Sequence, residues 1–402
     1  MRDKASTEQP QPVPGEADGV AWGAAGAPGH DGTRLGASPS GPAAAGDHNS
    51  EEMPRIRLTR GRLLASIVFV VSTVAFLYFV LPKLLGLRDT WNRIQHGNGW
   101  WLALAAICEV ASFLGYVALF RVVFVRGGSR IGWRPSYEIT MAGLAATRLF
   151  ASAGAGGIAL TAWALRRSGL EARIVACRMI AFMALLYGVY MGTLVSAGLG
   201  LYFGIFPGSA PFAITVIPAI FGGAVILLFL AVSLVPGDFD RLVKRWSGAG
   251  RLARLAQRAA TAPAAAASGV RTAIDLVRTR NAQLLGAIAW WGFDIAVLWA
   301  CFHAFGGSPP TAVVIMCYFV GMLGNALPLP GGIGGVDGGM IGAFTAFGVP
   351  VQLAVVAVLA YRGFAFWLPT LPGAVAYLQL RRTVARWQSN EPRTTGEAAS
   401  YT

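Results

Sequence analysis

Long apolar runs, separated by short polar and basic connections, dominate this chain. A helix of about 20 apolar residues, rising about 1.5 Å per residue, crosses the roughly 30 Å hydrocarbon core of a bilayer. Six runs are long enough, at 62–85, 100–125, 174–203, 212–235, 281–303 and 351–380. The pattern predicts an all-α fold, a polytopic integral membrane helical bundle.

Two further apolar segments, 136–165 and 311–347, are interrupted by glycine-rich stretches. The interruptions are Ala-Ser-Ala-Gly-Ala-Gly-Gly at 151–157 and Pro-Leu-Pro-Gly-Gly-Ile-Gly-Gly at 328–335. In a helix interior glycine costs about 1 kcal/mol and proline about 3 kcal/mol, so regular helix is not expected across either stretch. Each segment is therefore predicted to be a hairpin of two short helices.

The basic residues predict the orientation in the membrane. They cluster before the first span, at 126–134, at 166–173, throughout 241–280 and after residue 380. The connections 204–211 and 304–310 contain no Lys or Arg. Cytoplasmic loops carry an excess of Lys and Arg, so both termini are predicted to be cytoplasmic, in a multi-pass protein of the cell membrane.

This orientation makes the two broken hairpins re-entrant from opposite faces, the first from the inside and the second from the outside. Gly156 and Gly334, which begin similar Gly-Gly-aliphatic triplets, lie 178 positions apart. Related broken hairpins entering from opposite sides are typical of an inverted repeat, a common plan among transporters. We expect two re-entrant broken-helix hairpins in an inverted repeat.

Composition narrows the function classes. The 402 residues are 55% hydrophobic and only 13% charged, with a net charge of +14. The basic residues lie between apolar runs, so we expect contact with membrane lipids and no binding of nucleic acid. Neither a catalytic motif nor the spacing of metal ligands is evident, so we expect neither an enzyme nor a cofactor.

The chain divides into three predicted regions. Residues 1–54 are rich in Gly, Ala, Pro and Ser and are predicted to be a disordered cytoplasmic tail. The region 55–385 is the predicted transmembrane translocase-like domain, followed by a disordered tail at 386–402. Within the domain, the basic and partly amphipathic segment 238–280 suits either a helix on the anionic inner leaflet or a solvated loop helix.

Charged residues within the apolar segments are the candidates for function, because each costs about 2.5–3.5 kcal/mol at the centre of a span on insertion scales. Arg178 lies near a helix end, where its side chain can reach the interface. The deeper ones, which we interpret either as lining a polar cavity or as structural ion pairs, are Glu109, Arg148, Asp294, Asp337 and Arg362.

The preferred hypothesis assigns Arg148 and Arg362 to a lipid phosphate, because a guanidinium matches phosphate oxygens with two parallel hydrogen bonds. The three acids would balance these charges or bind an amino headgroup or a proton. The sequence leaves open which acid pairs with which arginine.

The stretch from Asn325 to Asp337, Asn-Ala-Leu-Pro-Leu-Pro-Gly-Gly-Ile-Gly-Gly-Val-Asp, resembles a motif of the lysylphosphatidylglycerol synthase transmembrane-region family. The similarity extends over roughly 60–390. It implies lipid-binding roles for the residues around the break, which are Asn325, Pro328, Pro330, Gly331, Gly332, Gly334 and Asp337. The family motif ends in Glu where this chain has Asp, and the first break lacks the Asn and Pro of the second.

The resemblance implies a flippase that moves phospholipid, or a related polyprenyl-linked lipid, between leaflets. Few residues follow the last span, so we expect no soluble synthase domain in this chain. Two alternatives stay open. One is a proton-coupled secondary transporter of a small anion or drug, and the other is a non-transporting scaffold for a membrane enzyme partner that modifies lipid or glycan. The oligomeric state is not predicted.

Overall fold

The computed structural model describes residues 97–125, 131–149, 155–234, 251–326 and 332–389, with only the backbone for 251–264. Within these ranges every regular element is helical. The α-helices are α1 (Gly99–Phe124), α2 (Trp133–Leu149), α3 (Ala155–Arg167), α4 (Ala172–Tyr202), α5 (Phe212–Ser233), α6 (Arg251–Arg278), α7 (Gly286–Ala304), α8 (Thr311–Met322), α9 (Gly335–Ala346), α10 (Val351–Arg362) and α11 (Leu368–Ser389).

The predicted membrane bundle is confirmed. Five helical stretches in the described part of the chain are long and apolar enough to span a bilayer, namely Gly99–Phe124, Ala172–Tyr202, Phe212–Ser233, Ala282–Ala304 and Val351–Ser389. They agree with five of the six predicted spans, and the sixth, 62–85, lies outside the described residues. The last stretch continues nine residues beyond the predicted end at 380, with Arg381, Arg382 and Arg386 on its final turns.

Both predicted hairpins are observed as pairs of short helices. Helices α2 and α3 are separated by 150–154, and a 3₁₀ turn, Leu323–Ala326, follows α8 before α9 begins at Gly335. The central residues of the breaks, 151–154 and 327–331, lie outside the described residues. Gly334 precedes α9 with a φ of 86°, a conformation that glycine adopts without steric cost.

The order of helix lengths repeats along the chain. A long helix, a pair of short helices and another long helix occur first as α1 to α4 and again as α7, α8, α9 and the continuous helical stretch Val351–Ser389, which contains α10 and α11. The helices α2 and α8 begin 178 positions apart, α3 and α9 begin 180 apart, and α4 and α10 begin 179 apart. The entry of the two hairpins from opposite faces stays a prediction.

Glycines let the helices of each hairpin approach closely. A Cβ at Gly157 in α3 would lie 2.4 Å from the carbonyl oxygen of Gly143 in α2. In the second hairpin, a Cβ at Gly324, in the 3₁₀ turn after α8, would lie 2.4 Å from the carbonyl carbon of Gly335 in α9. Small residues allow such backbone contact where helices pack in a membrane.

The glycines at the start of α9 do not all face α8. Gly339 approaches Gly321, whereas a Cβ at Gly334 or Gly338 would meet no atom within 4 Å. The long helices α1 and α7 make a similar contact at the centre of the molecule. There a Cβ at Gly286 would lie 2.2 Å from the carbonyl oxygen of Gly115.

The basic segment between the two halves contains α6, whose C-terminal part packs on α4. Gly269 lies against Ile180, and Ala267 and Val270 are buried. This contact accounts for one face of the helix. Its predicted contact with the anionic inner leaflet stays a prediction, and the residues 238–250 lie outside the described residues.

Candidate functional site

A cavity of about 310 Å³ lies between the two halves of the molecule. Helices α1, α2, α3 and α4 of the first half line it together with α7 and α10 of the second half. Six of the predicted site residues border this cavity, namely Glu109, Arg148, Asp294, Asn325, Gly332 and Arg362. Charged side chains that are about 40 to 250 positions apart in the sequence therefore face one internal space.

Arg362 and Asp337 form an ion pair at the edge of the cavity. The distance from Nε of Arg362 to Oδ1 of Asp337 is 2.6 Å, and the side chains are only 12% and 2% exposed. The other oxygen of Asp337 accepts a hydrogen bond of 2.8 Å from the backbone N–H of Gly334. Asp337 thus stabilises the start of α9, where a negative charge is favoured by the helix dipole.

Asp294 is buried on α7 and receives two hydrogen bonds from tyrosines. The hydroxyl groups of Tyr318 and Tyr361 both donate to Oδ2 of Asp294, the second at 3.1 Å. Hydrogen bonds from neutral donors stabilise an ionised carboxylate in a buried site. This cluster therefore connects α7, α8 and α10 around the buried carboxyl group of Asp294.

Arg148 lies at the last turn of α2 and differs from Arg362. Its Nη1 atom is buried and has no hydrogen-bond partner. Among the described residues, no carboxylate lies close enough to the Arg148 guanidinium, within 4 Å, to form an ion pair with it. The guanidinium carbon is 5.6 Å from the centre of the Phe113 ring. A buried guanidinium without an ionic partner is costly, so this position is suited to a ligand that carries negative charge.

Glu109 on α1 is 2% exposed, and its Oε2 atom also lacks a hydrogen-bond partner. The carboxyl group of Asp294 lines the same cavity as that of Glu109. Glu109 and Arg148 thus face the same cavity, and each has a buried polar atom without a hydrogen-bond partner.

Asn325 and Gly332 close the two sides of the second break against each other. A Cβ on Gly332, whose φ is 66°, would lie 2.3 Å from Oδ1 of Asn325. Only glycine fits this contact and this backbone conformation. The motif residues between them, Pro328, Pro330 and Gly331, lie outside the described residues, so their predicted lipid-binding role stays a prediction.

The remainder of the cavity wall is apolar and aromatic. The side chains of Phe120, Phe124, Met179, Phe182 and Met183, from α1 and α4, line it together with Trp290 and Trp291 of α7. Methionine and aromatic side chains adapt to flexible apolar ligands. The cavity therefore combines a charged end with an apolar wall, which is the arrangement that an amphipathic ligand requires.

Tyr318 and Tyr361 were not among the predicted site residues, although their positions in apolar spans gave a signal. A buried tyrosine usually finds a partner for its hydroxyl group, so tyrosine in a span next to a candidate arginine was informative.

Glu138 was also absent from the predicted site residues. It is fully buried on α2, where it binds Nε of Arg134 at 2.9 Å and the hydroxyl of Thr383 at 2.6 Å, and it does not line the cavity.

Arg178 is not part of the site. Its Nη1 atom donates a hydrogen bond of 2.9 Å to the carbonyl oxygen of Phe124. Phe124 is the last residue of α1, and a positive charge at the C-terminal end of a helix offsets the helix dipole. Arg178 therefore joins α4 to the end of α1, which agrees with its shallow position in the sequence.

A short π-helix, Gly363–Trp367, follows Arg362 directly. The amide of Leu368 donates to the carbonyl of Gly363, five residues earlier, and Pro369 has no amide hydrogen to continue the α-helical pattern. Such π-helical turns are frequent at functional sites. The widened turn places Ala365 and Phe366 at the cavity beside Arg362.

The family model described as "Lysylphosphatidylglycerol synthase TM region" matches residues 63–373. The chain belongs to this family. The match includes both halves of the bundle and every predicted site residue.

Curated relatives are similar over shorter stretches. Two proteins of Methanothermobacter thermautotrophicus, each described as a "UPF0104 membrane protein", are 34% identical over 109 and 115 residues, which are 27% of this chain in both cases and 31% and 34% of the relatives. A UPF0104 membrane protein of Methanocaldococcus jannaschii is 32% identical over 93 residues, which are 23% of this chain and 28% of that protein. The chain thus matches about a third of the length of these relatives.

Proposed function

We propose that this protein is a lipid translocase that moves a phospholipid, or a related polyprenyl-linked lipid, between the leaflets of the cell membrane. The observation that carries the proposal is the guanidinium of Arg148, whose Nη1 atom is buried without a hydrogen-bond partner. It faces a cavity with an apolar wall and lacks an ionic partner among the described residues. Membership of a family described by a lipid-modifying enzyme's transmembrane region supports the same conclusion.

The ligand group at Arg148 is a phosphate in this proposal. A guanidinium offers parallel N–H donors that match two phosphate oxygens, and a charge-assisted hydrogen bond is about twice as strong as a neutral one. The cavity of about 310 Å³ accommodates a polar headgroup and not a whole lipid. The lipid chains would then leave the cavity along the wall that contains Phe120, Phe182 and Met183.

The two broken hairpins supply the movement. Residues next to each break line the cavity, namely Gly157 and Ile158 in the first hairpin and Asn325 and Gly332 in the second. Irregular backbone is tolerated at membrane depth only where protein or a wet cavity satisfies its polar groups. Alternating access would result if the two hairpins opened the cavity to one leaflet at a time.

The proposed orientation places both termini in the cytoplasm. Arg166, Arg167 and Arg173 lie where α3 ends and α4 begins, and Arg381 and Arg382 lie near the end of α11. Cysteine labelling by a membrane-impermeant maleimide at the α3–α4 turn and at the loop 204–211 would test this topology. Labelling of the turn in intact cells would contradict it.

The translocase is tested by lipid movement in proteoliposomes. An NBD-labelled phosphatidylglycerol is incorporated into phosphatidylcholine vesicles, and dithionite reports the fraction that reaches the outer leaflet. We expect the protein to speed the exchange and Arg148→Ala to slow it by about tenfold or more, because one or two charge-assisted hydrogen bonds of about 1.5–3 kcal/mol are lost.

Arg278→Ala provides the matched control. Arg278 is 78% exposed, pairs with Asp275 at 3.7 Å and does not line the cavity, so this variant should translocate lipid at the wild-type rate. Equal exchange in vesicles with and without the protein would refute the translocase. Equal rates for Arg148→Ala and Arg278→Ala would refute the role of Arg148.

A second candidate function is a proton-coupled transporter of a small anion. The buried Glu109 carboxyl, with its unpartnered Oε2 atom on the cavity, favours this alternative, because a buried acid can bind a proton without a counter-ion. It predicts uptake of a water-soluble organic anion into vesicles without movement of the labelled lipid. The apolar wall of the cavity favours the lipid.

A further inference from the structure

The two unpartnered atoms on the cavity need different kinds of hydrogen-bond partner. Nη1 of Arg148, on α2, can only donate a hydrogen bond, whereas Oε2 of Glu109, on α1, belongs to a carboxyl group, whose oxygens accept hydrogen bonds when it is ionised. Both side chains line the same cavity, yet they do not form an ion pair with each other. The cavity therefore has room for a partner at each of them.

The other charged side chains in the described part of the cavity wall have partners within the protein. Arg362 pairs with Asp337, and Asp294 accepts hydrogen bonds from two tyrosine hydroxyls. Glu109 and Arg148 differ from them, because each keeps a buried atom without a partner. The hydrogen-bonding capacity that is left for a ligand therefore includes one group on α1 and one on α2.

Three donors of the cavity wall are already used within the protein. The hydroxyl groups of Thr140 and Thr147 donate to carbonyl oxygens one turn earlier on α2, at 2.8 Å and 3.0 Å. The indole N–H of Trp291 donates to the carbonyl oxygen of Leu186 at 2.8 Å. These groups do not supply the donor that Oε2 of Glu109 lacks.

A phosphate at Arg148 would satisfy only one of the two atoms. Phosphate oxygens are hydrogen-bond acceptors, as are the oxygens of a carboxylate, so a phosphate does not provide the missing donor at Glu109. A buried acceptor that stays unpaired weakens the complex. The ligand that fits both positions has a phosphate and, in the same headgroup, an N–H or O–H donor. Ammonium and hydroxyl groups provide such a donor, and the trimethylammonium group of choline does not.

We propose that Glu109 selects lipids whose headgroup carries an N–H or O–H donor in addition to the phosphate, by accepting a hydrogen bond from that donor. This inference rests on the proposed lipid translocase and specifies its substrate class. The phosphate binds Arg148, and the donor of the same headgroup binds Glu109. Phosphatidylethanolamine and phosphatidylglycerol belong to this class, and phosphatidylcholine does not.

The test compares pairs of lipids that have the same charge and differ in the donor. Each lipid carries NBD on an acyl chain, and dithionite follows its exchange in proteoliposomes, with protein-free vesicles as background. N,N-dimethylphosphatidylethanolamine has an N–H where phosphatidylcholine has a methyl group, and phosphatidylglycerol has hydroxyl groups that phosphatidylpropanol lacks. We expect the donor-bearing lipid of at least one pair to exchange about tenfold faster or more, because its partner lacks a hydrogen bond to a charged group. The pair with the larger ratio identifies the donor as ammonium or hydroxyl.

Glu109→Leu removes the acceptor and retains a side chain of similar size. We expect this variant to exchange the two lipids of each pair at equal rates, because the donor-bearing lipid no longer gains a hydrogen bond. Glu138→Gln is the matched control, since Glu138 is also a fully buried glutamate but lies off the cavity. It should retain the wild-type ratio in both pairs.

The outcomes separate this inference from the translocase. Equal rates within both pairs in the wild-type protein, the result if Glu109 instead donated a proton of its own to the phosphate, would overturn headgroup selection and leave the translocase standing. A preference that Glu109→Leu retains would do the same. Absence of movement of every lipid would overturn both. If Glu109→Leu is isolated in an unfolded state, Glu109→Met, whose flexible side chain adapts to the space, should lose the preference, and its retention there would overturn the inference.

Discussion

The two halves of the molecule repeat the same order of helices, but their buried charged side chains differ in whether they have partners. In the second half Arg362 pairs with Asp337, which in turn binds the start of α9, and Asp294 is surrounded by tyrosine hydroxyls. In the first half Arg148 and Glu109 face the cavity with unpartnered atoms. The difference supports the proposal that Arg362, which is paired with Asp337, acts in the framework of the second half and that Arg148, in the first half, binds the ligand.

The largest effect on stability is expected at the Arg362–Asp337 ion pair. Arg362→Ala should lower the free energy of unfolding in detergent by about 3–5 kcal/mol, because it leaves the buried Asp337 carboxylate without its partner. Denaturant unfolding followed by circular dichroism would measure the change. The double variant Arg362→Ala/Asp337→Ala should recover part of the loss, and equal stabilities of Arg362→Ala and Arg278→Ala would contradict the assignment.

The second largest loss of stability is expected from substitutions at the glycine contacts within the hairpins. Gly157→Ala should lower the free energy of unfolding by about 1–3 kcal/mol, because its Cβ would lie 2.1 Å from Oγ1 of Thr147 and 2.4 Å from the carbonyl oxygen of Gly143. The same unfolding measurement applies. Gly338→Ala meets no atom within 4 Å and should be neutral or stabilising, so a loss there equal to that of Gly157→Ala would show that packing is not the cause.

A smaller loss is expected at the tyrosine cluster. Tyr361→Phe removes one of two hydroxyl donors to Asp294 and should lower the free energy of unfolding by about 1.5 kcal/mol, a value typical of a hydrogen bond to a charged group. Tyr202→Phe, on α4, 47% exposed and away from the cavity, serves as the comparison and should leave the stability unchanged. An unchanged stability of Tyr361→Phe would argue that Asp294 is not ionised.

The smallest effect on stability is expected at Arg148 itself. Arg148→Ala removes a buried charge that has no ionic partner among the described residues, so the free energy of unfolding should change by less than about 1 kcal/mol or increase. Arg148 and Arg362 then differ in kind, one acting in transport and one in stability. A loss of 3–5 kcal/mol in Arg148→Ala would remove that distinction.

Much of this arrangement was predictable from the sequence, because long apolar runs and glycine-rich breaks are local features. The runs predicted five of the described spans, and the breaks near Gly157 and Gly334 predicted the two hairpins. The buried charges at 109, 148, 294 and 362 were also identifiable, and the structure brings them to one cavity.

The partnerships among those charges were not predictable. Whether Arg148 or Arg362 pairs with Asp337 depends on how α2, α9 and α10 pack, which is a property of the tertiary structure and not of spacing along the chain. The π-helix after Arg362 was missed for a related reason. Pro369 disfavours an α-helical bond, but a kink, a break or a widened turn would each satisfy that constraint.

The central claim is that Arg148 holds a lipid phosphate in the cavity between the two halves. An experimental structure of the protein in lipid nanodiscs that contain phosphatidylglycerol tests it most directly. We predict phosphate density within hydrogen-bonding distance of the Arg148 guanidinium, with the lipid chains along the wall formed by Phe120 and Phe182. A cavity without phosphate, in which Arg148 instead forms an ion pair with Glu109, would contradict the account.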